Sequence, residues 1–137
     1  MHKDTLIHYM TRCALMGITV VCLQPLSASA DDLTQGFRYD NGLADRPVDR
    51  RKASEFYKLS AERGDPEAQF YLAMLYHRGD GVAKDDAEAY KWLTLARAAN
   101  PQIGGQALEQ LDQSLSRGII AEGKRRAAQW SPIVAID

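Results

Sequence analysis

The sequence predicts an all-α fold, a short α-solenoid of about six helices in antiparallel pairs that follows a signal peptide. Residues 64–100 hold two amphipathic patterns of about thirteen residues each, joined by a glycine-containing turn, and a weaker copy precedes them. Helix pairs that recur with a period near 36 residues are typical of solenoids. Because such arrays present extended surfaces, the sequence indicates a protein that binds a partner.

Residues 1–30 have the three parts of a secretory signal peptide. Basic side chains precede an apolar run at 13–23, and Ala28 and Ala30 form a small-residue cleavage site. The run is too short to span a bilayer, which needs about 20 apolar residues. We therefore expect cleavage between Ala30 and Asp31, no lipid anchor, and a periplasmic or secreted product.

Cleavage changes the composition of the chain but leaves enough residues for one domain. Cys13 and Cys22 leave with the signal, so the mature chain must be stable without disulfides. Lys3, Arg12 and Asp4 leave too, which changes 17 basic and 18 acidic side chains to 15 and 17, a formal net charge of −2. This balance argues against a nucleic-acid partner, and no later segment is apolar enough for membrane insertion of the mature chain.

Turn and cap residues divide the mature chain into helices. Gly64 suits a left-handed helix end, Asp65 an N-cap and Pro66 a first helical position. In the same way, Asn100 is suited to end one helix and Pro101 to begin the next. The predicted helices are 32–41, 49–63, 66–78, 86–99, 101–115 and 117–130.

Two further caps and a set of apolar stripes complete the prediction. Asp85 followed by Glu88 indicates an acidic capping box, and Ser116 is suited to cap the last helix, with a tail at 131–137. Apolar residues spaced by three, four and seven positions predict helix faces that pack in a core. These positions are Ala68, Leu72, Leu75 and Tyr76; Ala89, Trp92, Leu93 and Ala96; Ile103, Ala107, Leu108, Leu111 and Leu115; and Ile119, Gly123, Ala127 and Trp130.

The central hairpin matches a known repeat pattern residue by residue. The matching positions are Ala68, Leu72, Tyr76, Gly79, Gly81, Val82, Asp86, Ala89, Trp92, Leu93 and Ala96. This segment resembles the SEL-one-like repeat, a relative of the tetratricopeptide repeat. It departs from the family pattern at Ala73, where glycine is usual, and at Arg97, where a second closing alanine is usual.

The preceding copy is a degenerate repeat. Gly36 and Tyr39 stand at the glycine and tyrosine positions of the pattern, and Ala53 and Ala61 match its second helix. After the signal peptide at 1–30, the resemblance implies a degenerate N-terminal repeat at 31–64, a full repeat at 65–100, and C-terminal capping helices with a tail at 101–137.

The resemblance also implies a function. SEL-one-like repeats assemble proteins, often in bacterial envelopes, so we expect a non-catalytic adaptor or regulator that binds a protein or peptide on its concave face. In this family the first helix of each pair lines that face. We also expect the chain to be a monomer. The candidate contact residues are first-helix positions outside the core stripe: Gln69, Tyr71, His77 and Arg78, with Thr34 and Arg38 on the preceding half-repeat.

Several alternatives remain open at this stage. Tyr71 is equally suited to packing on the adjacent helix, and Lys124-Arg125-Arg126 is either a basic docking patch or a solvated helix face. The alternative function is an exported enzyme, such as a β-lactam hydrolase related to cysteine-rich members of the family. No lysine follows a serine by three positions, His77 is the only mature histidine, and the thiols of that branch are missing. We therefore expect no catalytic residues, no metal and no cofactor.

Overall fold

A computed structural model of the chain describes residues 28–43 and 47–133, which form helices without any strand. The helices are α1 (Ala28–Asn41), α2 (Arg50–Glu62), α3 (Pro66–Arg78), α4 (Asp86–Ala99), α5 (Gly105–Ser114) and α6 (Arg117–Ala128). The predicted all-α fold is confirmed, and α3 and α4 have the predicted ends. Most of the expected signal peptide lies outside the described residues, and the expected cleavage point falls in the first turn of α1.

The helices pack in chain order until the last two. α1 pairs with α2, α2 packs on α3, and α3 pairs with α4. α6 then returns to pack along α4, while α5 touches α4 only lightly. The α3–α4 turn lies against the start of α2, where a Cβ on Gly81 would stand 2.3 Å from the Arg50 carbonyl carbon. No helix in the described ranges is long and apolar enough to cross a membrane.

The predicted N-caps are present at three helices, but the predicted capping box at Asp85 forms only one of its two hydrogen bonds. The Asp65 carboxylate accepts from the backbone N–H groups of Glu67 and Ala68, and Ser116 accepts from the third residue after it. Asp85 accepts from the N–H of Glu88 at 3.0 Å. The reciprocal half of that capping box is not formed, because the Asp85 N–H donates to the Tyr76 carbonyl instead.

The core lies between α2, α3 and α4 and contains the predicted stripes. The stripe residues there are buried except Tyr76, which is partly buried, and Leu108, Leu111 and Ala127 continue the core into the last two helices. Tyr57 and Tyr90 are the largest fully buried side chains. The Tyr57 ring lies directly against Gly36, where a Cβ would stand 2.6 Å from the ring. Glycine at that position therefore allows α1 to approach α2.

Two predicted helix starts differ from the structure by several residues. The first helix was expected from Asp32, but it begins at Ala28. The fifth helix was expected from Pro101, but it begins at Gly105. The Asn100 side chain accepts from the N–H of Gln102, and its carbonyl accepts from Ile103, so 101–104 is a turn. Gly104 ends the turn in the left-handed region at φ 76°, packed on Leu93. The contact of Gly104 with Leu93 reaches back to α4, so it was not visible in the local Asn–Pro signal.

The last helix and the tail close over the second helices of both pairs. Gly123 of α6 lies so close to α4 that a Cβ would stand 2.8 Å from Tyr90. Trp130, predicted as the end of the last helix, follows it and packs edge-on against Trp92 at 5.9 Å between ring centroids. The Ile133 N–H then donates to the Glu62 carbonyl at 2.8 Å. The segment from Trp130 to Ile133 thus ties α4 to the end of α2.

Candidate partner-binding surface

The surface predicted from the first helices is centred on aromatic rings. Tyr71 of α3 packs edge-on against Phe37 of α1, with 6.0 Å between ring centroids, and edge-on against its neighbour Phe70 at 5.5 Å. Phe37 is 42% exposed, which is unusual for a phenylalanine in a small domain. We call Phe37, Phe70 and Tyr71 the aromatic patch. It spans both first helices of the repeats.

A buried tyrosine supports the patch from below. The Tyr57 ring of α2 stacks on Tyr71 at 5.2 Å between centroids. Burial raises the pKa of the Tyr57 hydroxyl above its ordinary range, and the nearby Asp40 charge adds to this. The hydroxyl therefore stays neutral, and no hydrogen-bond partner faces it within the described residues. Stacking on a fixed ring positions Tyr71, which lowers the entropy lost when a partner binds it.

A cavity of about 310 Å³ opens beside the patch. Glu67, Phe70 and Tyr71 line it from α3, and Gln102, Ile103 and Gly104 line it from the turn before α5. The walls are thus apolar at Phe70 and Ile103 and polar at the rim. An apolar side chain of a partner fits this chemistry, since a few polar groups at the mouth can hold its backbone.

The structure places the six predicted contact residues in different environments. Thr34 and Arg38 are exposed on α1 and flank Phe37, and Arg78 is exposed at the end of α3. Tyr71 is partly buried, so the packing alternative and the contact role both apply to it. The prediction that Gln69 contacts a partner is wrong, because this residue is only 1% exposed and its side-chain amide donates to the Ala61 carbonyl at 3.1 Å. It belongs to the α2–α3 interface and cannot contact a partner.

His77 connects two helices. Its Nδ1 lies 2.7 Å from the Asp86 carboxylate at the start of α4, and the ring remains 38% exposed. Lys84 approaches the other oxygen of the same carboxylate at 3.7 Å. The side chain therefore ties α3 to α4 next to the turn that joins them, and it keeps one edge available for contact. Among the described residues no group of three His, Cys, Asp or Glu side chains is arranged to hold a metal ion.

The basic run on α6 is largely neutralised. Arg126 donates to Asp85, Glu88 and Glu122 at 2.8 to 3.0 Å, and Arg125 forms two hydrogen bonds with Glu122. These contacts raise the pKa of Arg126 further above its ordinary value. They tie α6 to the N-terminus of α4. Only Lys124 is left outside the network, so this run is a poor docking patch for an acidic partner.

Sequence reasoning missed part of the surface. Phe37, Phe70 and Ile103 line or form it but were not predicted as contacts. Phe37 and Phe70 are apolar residues beside the core stripes, which was the available signal. Ile103 was expected to be helical, and only the turn at 101–104 brings it to the cavity.

Comparison with known proteins identifies the repeats. A family model for the Sel1 repeat matches residues 36–65 and 66–101. An exopolysaccharide production negative regulator from Rhizobium leguminosarum bv. viciae is 32% identical over an alignment that covers 56% of this chain and 33% of that protein. The chain thus spans about a third of the length of this curated relative.

Solved structures agree with the repeat assignment. A protective antigen of uropathogenic Escherichia coli that displays an SLR fold superimposes with a TM-score of 0.61 at 32% identity, over 74% of this chain and 22% of that one. A Sel1 repeat protein from Oxalobacter formigenes superimposes with a TM-score of 0.59 at 26% identity, over 93% of this chain and 50% of that one. With two matched repeats on a six-helix array, the chain belongs to the Sel1-like repeat proteins.

Proposed function

We propose that this chain is a non-catalytic protein-interaction module of the bacterial cell envelope, acting as an adaptor or a regulator. Its ligand is a protein or peptide segment that docks on the first helices, at the aromatic patch. The proposed location is the periplasm or the exterior, which rests on the signal-peptide pattern of residues 1–30. Intact-mass analysis of the envelope fraction tests this location, because a retained N-terminus would contradict export.

The aromatic patch is the observation that carries the proposal. A 42% exposed phenylalanine, packed edge-on against a tyrosine that itself stacks on a buried ring, is costly to leave in water and is well suited to an interface. Tyrosine and arginine are enriched among the residues that dominate binding energy. Arg38 on α1 and Arg78 on α3 are exposed on the same helices. They supply planar donors for backbone carbonyls or carboxylates of the ligand.

The relatives support a binding role without naming the ligand. Sel1 repeats occur here twice, and one curated relative carries the name of a negative regulator. This regulator shares only a third of its length with the chain, so its partner is not transferred. The cavity beside Tyr71 favours a segment with an apolar side chain, because Phe70 and Ile103 form its walls.

The test is capture followed by mutation. The tagged protein is crosslinked in the envelope of its host, and the captured partner is then titrated against purified variants. Phe37→Ala should weaken binding at least about tenfold, which corresponds to about 1.4 kcal/mol. Arg78→Ala should weaken it less, because Arg78 lies at the end of α3, two helical turns from Tyr71.

The matched control is Leu59→Ala. Leu59 is 46% exposed on α2, close to the exposure of Phe37, but it lies outside the aromatic patch. This variant should bind as tightly as the unmodified protein. If Phe37→Ala retains its melting temperature and full affinity, or if Leu59→Ala weakens binding equally, the partner docks elsewhere.

A further inference from the structure

A second cavity, of about 450 Å³, lies between α4, α5 and α6. Its lining residues are Tyr90, Thr94, Arg97, Ala98, Pro101, Leu108, Asp112 and Lys124. None of them lines the cavity beside the aromatic patch. The 101–104 turn stands between the two, since Pro101 faces this one while Gln102, Ile103 and Gly104 face the other. We call it the cationic cavity.

The cationic cavity lies at the position where this chain departs from its repeat pattern, Arg97. In the first repeat the equivalent position is Ala61, eight residues after the matching Ala53, and it is fully buried under α3. Arg97 stands eight residues after Ala89 and is exposed. A guanidinium cannot be buried there without a paired charge. The next helix starts at Gly105, and the cavity lies in front of the exposed arginine.

The charges around the cavity are unbalanced toward the positive. Arg97 and Lys124 are exposed, and within the described residues neither is within 4.0 Å of a carboxylate oxygen. Asp112 is the acidic residue of the lining, and its carboxylate already accepts from the Tyr90 hydroxyl at 2.7 Å. Burial and this hydrogen bond raise the pKa of Tyr90 to about 12, so the hydroxyl remains a donor.

The floor of the cavity is apolar. Leu108 is buried at its base, and the ring of Tyr90 and the side chains of Ala98 and Pro101 complete the wall. Lys124 lines the cavity and places its Nζ over the Tyr90 ring, 6.0 Å from the ring centre. The cavity therefore offers apolar contact inside and two positive charges at the rim.

We propose that the cationic cavity binds an acidic segment of a partner protein, in which an apolar side chain is followed by a carboxylate. The apolar side chain packs on Leu108, and the carboxylate is held by Arg97, whose planar group donates two parallel hydrogen bonds, with Lys124 beside it. This proposal shares one assumption with the proposed function and rests on it there, namely that the ligand is a segment of a protein. It requires no contribution from the aromatic patch.

A protein segment is favoured over a lipid surface by the number of charges. Two neighbouring cations attract an anionic membrane only marginally without further basic residues. The neighbouring Arg125 and Arg126 are engaged with Glu122, Asp85 and Glu88. Apolar contact at Leu108 adds to the affinity only for a ligand that can enter the cavity.

The test uses matched peptide probes on the isotope-labelled full chain. The blocked tetrapeptide Leu-Glu-Leu-Glu is titrated and compared with Leu-Gln-Leu-Gln, which has nearly the same shape without charge. The acidic peptide should shift the amide signals of Thr94, Ala98 and Leu108. Its apparent Kd should be at least about fivefold lower than that of the neutral peptide, and 0.5 M NaCl should reduce the difference.

Variants locate the contact and separate it from the aromatic patch. Arg97→Gln and Lys124→Gln keep exposed side chains of similar length, and each should raise the Kd of the acidic peptide about threefold or more. Phe37→Ala should leave that Kd unchanged, even though it weakens the partner contact of the proposed function. Equal binding of the two peptides, shifts confined to the aromatic patch, or no shifts would overturn the inference. Broadening of the same signals by phosphatidylglycerol vesicles, without a response to the acidic peptide, would assign the cavity to lipid instead.

Discussion

At the junction between α2 and α3 the last repeat position, Ala61, is buried under the next helix, and we call this junction closed. At the equivalent junction between α4 and α5 the matching position, Arg97, is exposed, and we call this junction open. At the closed junction Ser60 and Ala61 are fully buried, the Ser60 hydroxyl donates to Asp65 at 3.0 Å, and the Gln69 amide donates to Ala61. At the open junction Arg97 replaces the alanine, and the chain needs the additional turn at 101–104 before the next helix. Both cavities lie at this open junction, on either side of the 101–104 turn.

The difference shows how a short repeat array gains specific surfaces. A regular second junction would have covered position 97 with α5, as α3 covers Ala61. Instead α6 packs along α4, and Trp130 covers Trp92. The array ends through a return of the chain over α4 rather than through another regular repeat. The stability of the second repeat therefore depends on the segment after the open junction.

Deletion of residues 101–137 tests that dependence most severely. We expect the shortened chain to lose cooperative unfolding, because Leu93, Trp92 and Tyr90 would lose Gly104, Trp130 and Gly123 as cover. In short arrays each helix pair is stabilised mainly by its neighbours. Circular dichroism melting provides the measurement. A deletion of 130–137 alone should lower the melting temperature but keep a cooperative transition, since α5 and α6 remain. A melt of the larger deletion that matches the full chain would refute this dependence.

Ala61→Arg should destabilise the closed junction, because it places at position 61 the residue type that stands at the open junction. Ala61 has no exposed surface, so the substitution either buries an unpaired charge or separates α2 from α3. We expect a loss of about 3 kcal/mol or more in the free energy of unfolding, measured by urea titration. The control is Ala98→Arg, which places the same side chain at an exposed position of α4. If both variants unfold at the same urea concentration, burial at Ala61 does not decide how the junction closes.

The sequence predicted the closed half of the molecule better than the open half. Caps such as Asp65 and stripes such as that of Ala68 and Leu72 are local, so α3 and the core around it were predicted correctly. Gln69 was misjudged because a polar residue beside a core stripe has no local sign of the backbone carbonyl that it bonds across an interface. The turn at 101–104 depends on contacts of Gly104 with α4, which the Asn100–Pro101 pair does not encode.

The same reasoning applies to the candidate surface. Tyr71 and Arg78 were selected by their spacing of two helical turns on α3, and both are placed there in the structure, while their role in binding stays a prediction. Phe37 was missed because its importance comes from its contact with Tyr71 on another helix. Such pairings depend on how α1 and α3 lie together rather than on the periodicity of either helix.

The ionic network on α6 should make the return helix sensitive to acid. Hydrogen bonds from Arg125 and Arg126 lower the pKa of Glu122 from 4.5 to about 2, and the pKa of Asp85 is lowered by its bond with Arg126. Groups with lowered pKa values stabilise the fold above their ordinary pKa and lose that contribution as pH falls toward the lowered value. We therefore expect the melting temperature to fall between pH 4.5 and pH 2.

Two variants isolate that network. Glu122→Gln should show a smaller decrease over the same pH range, because one of the titrating carboxylates is gone. Arg126→Ala should cost about 1 kcal/mol at neutral pH and less in 1 M NaCl, since the side chain is partly exposed and its pairs are screened. A Glu122→Gln profile that superimposes on that of the unmodified protein would show that this carboxylate does not contribute.

Arg97→Ala should have the smallest effect on stability, although it restores the residue that the repeat pattern predicts. The arginine is exposed and forms no ion pair among the described residues, and alanine is as good a helix former, so the free energy of unfolding should change by less than about 0.5 kcal/mol. The comparison variant is Lys91→Ala on the same helix. Lys91 pairs with Glu88 at 2.7 Å and lies 4.2 Å from the centre of the Trp92 ring, so its loss should cost about 1 kcal/mol. Urea unfolding of both variants gives the ranking. If Arg97→Ala raised stability by more than 1 kcal/mol, the arginine would be holding the second junction open against a closed arrangement that the rest of the sequence favours.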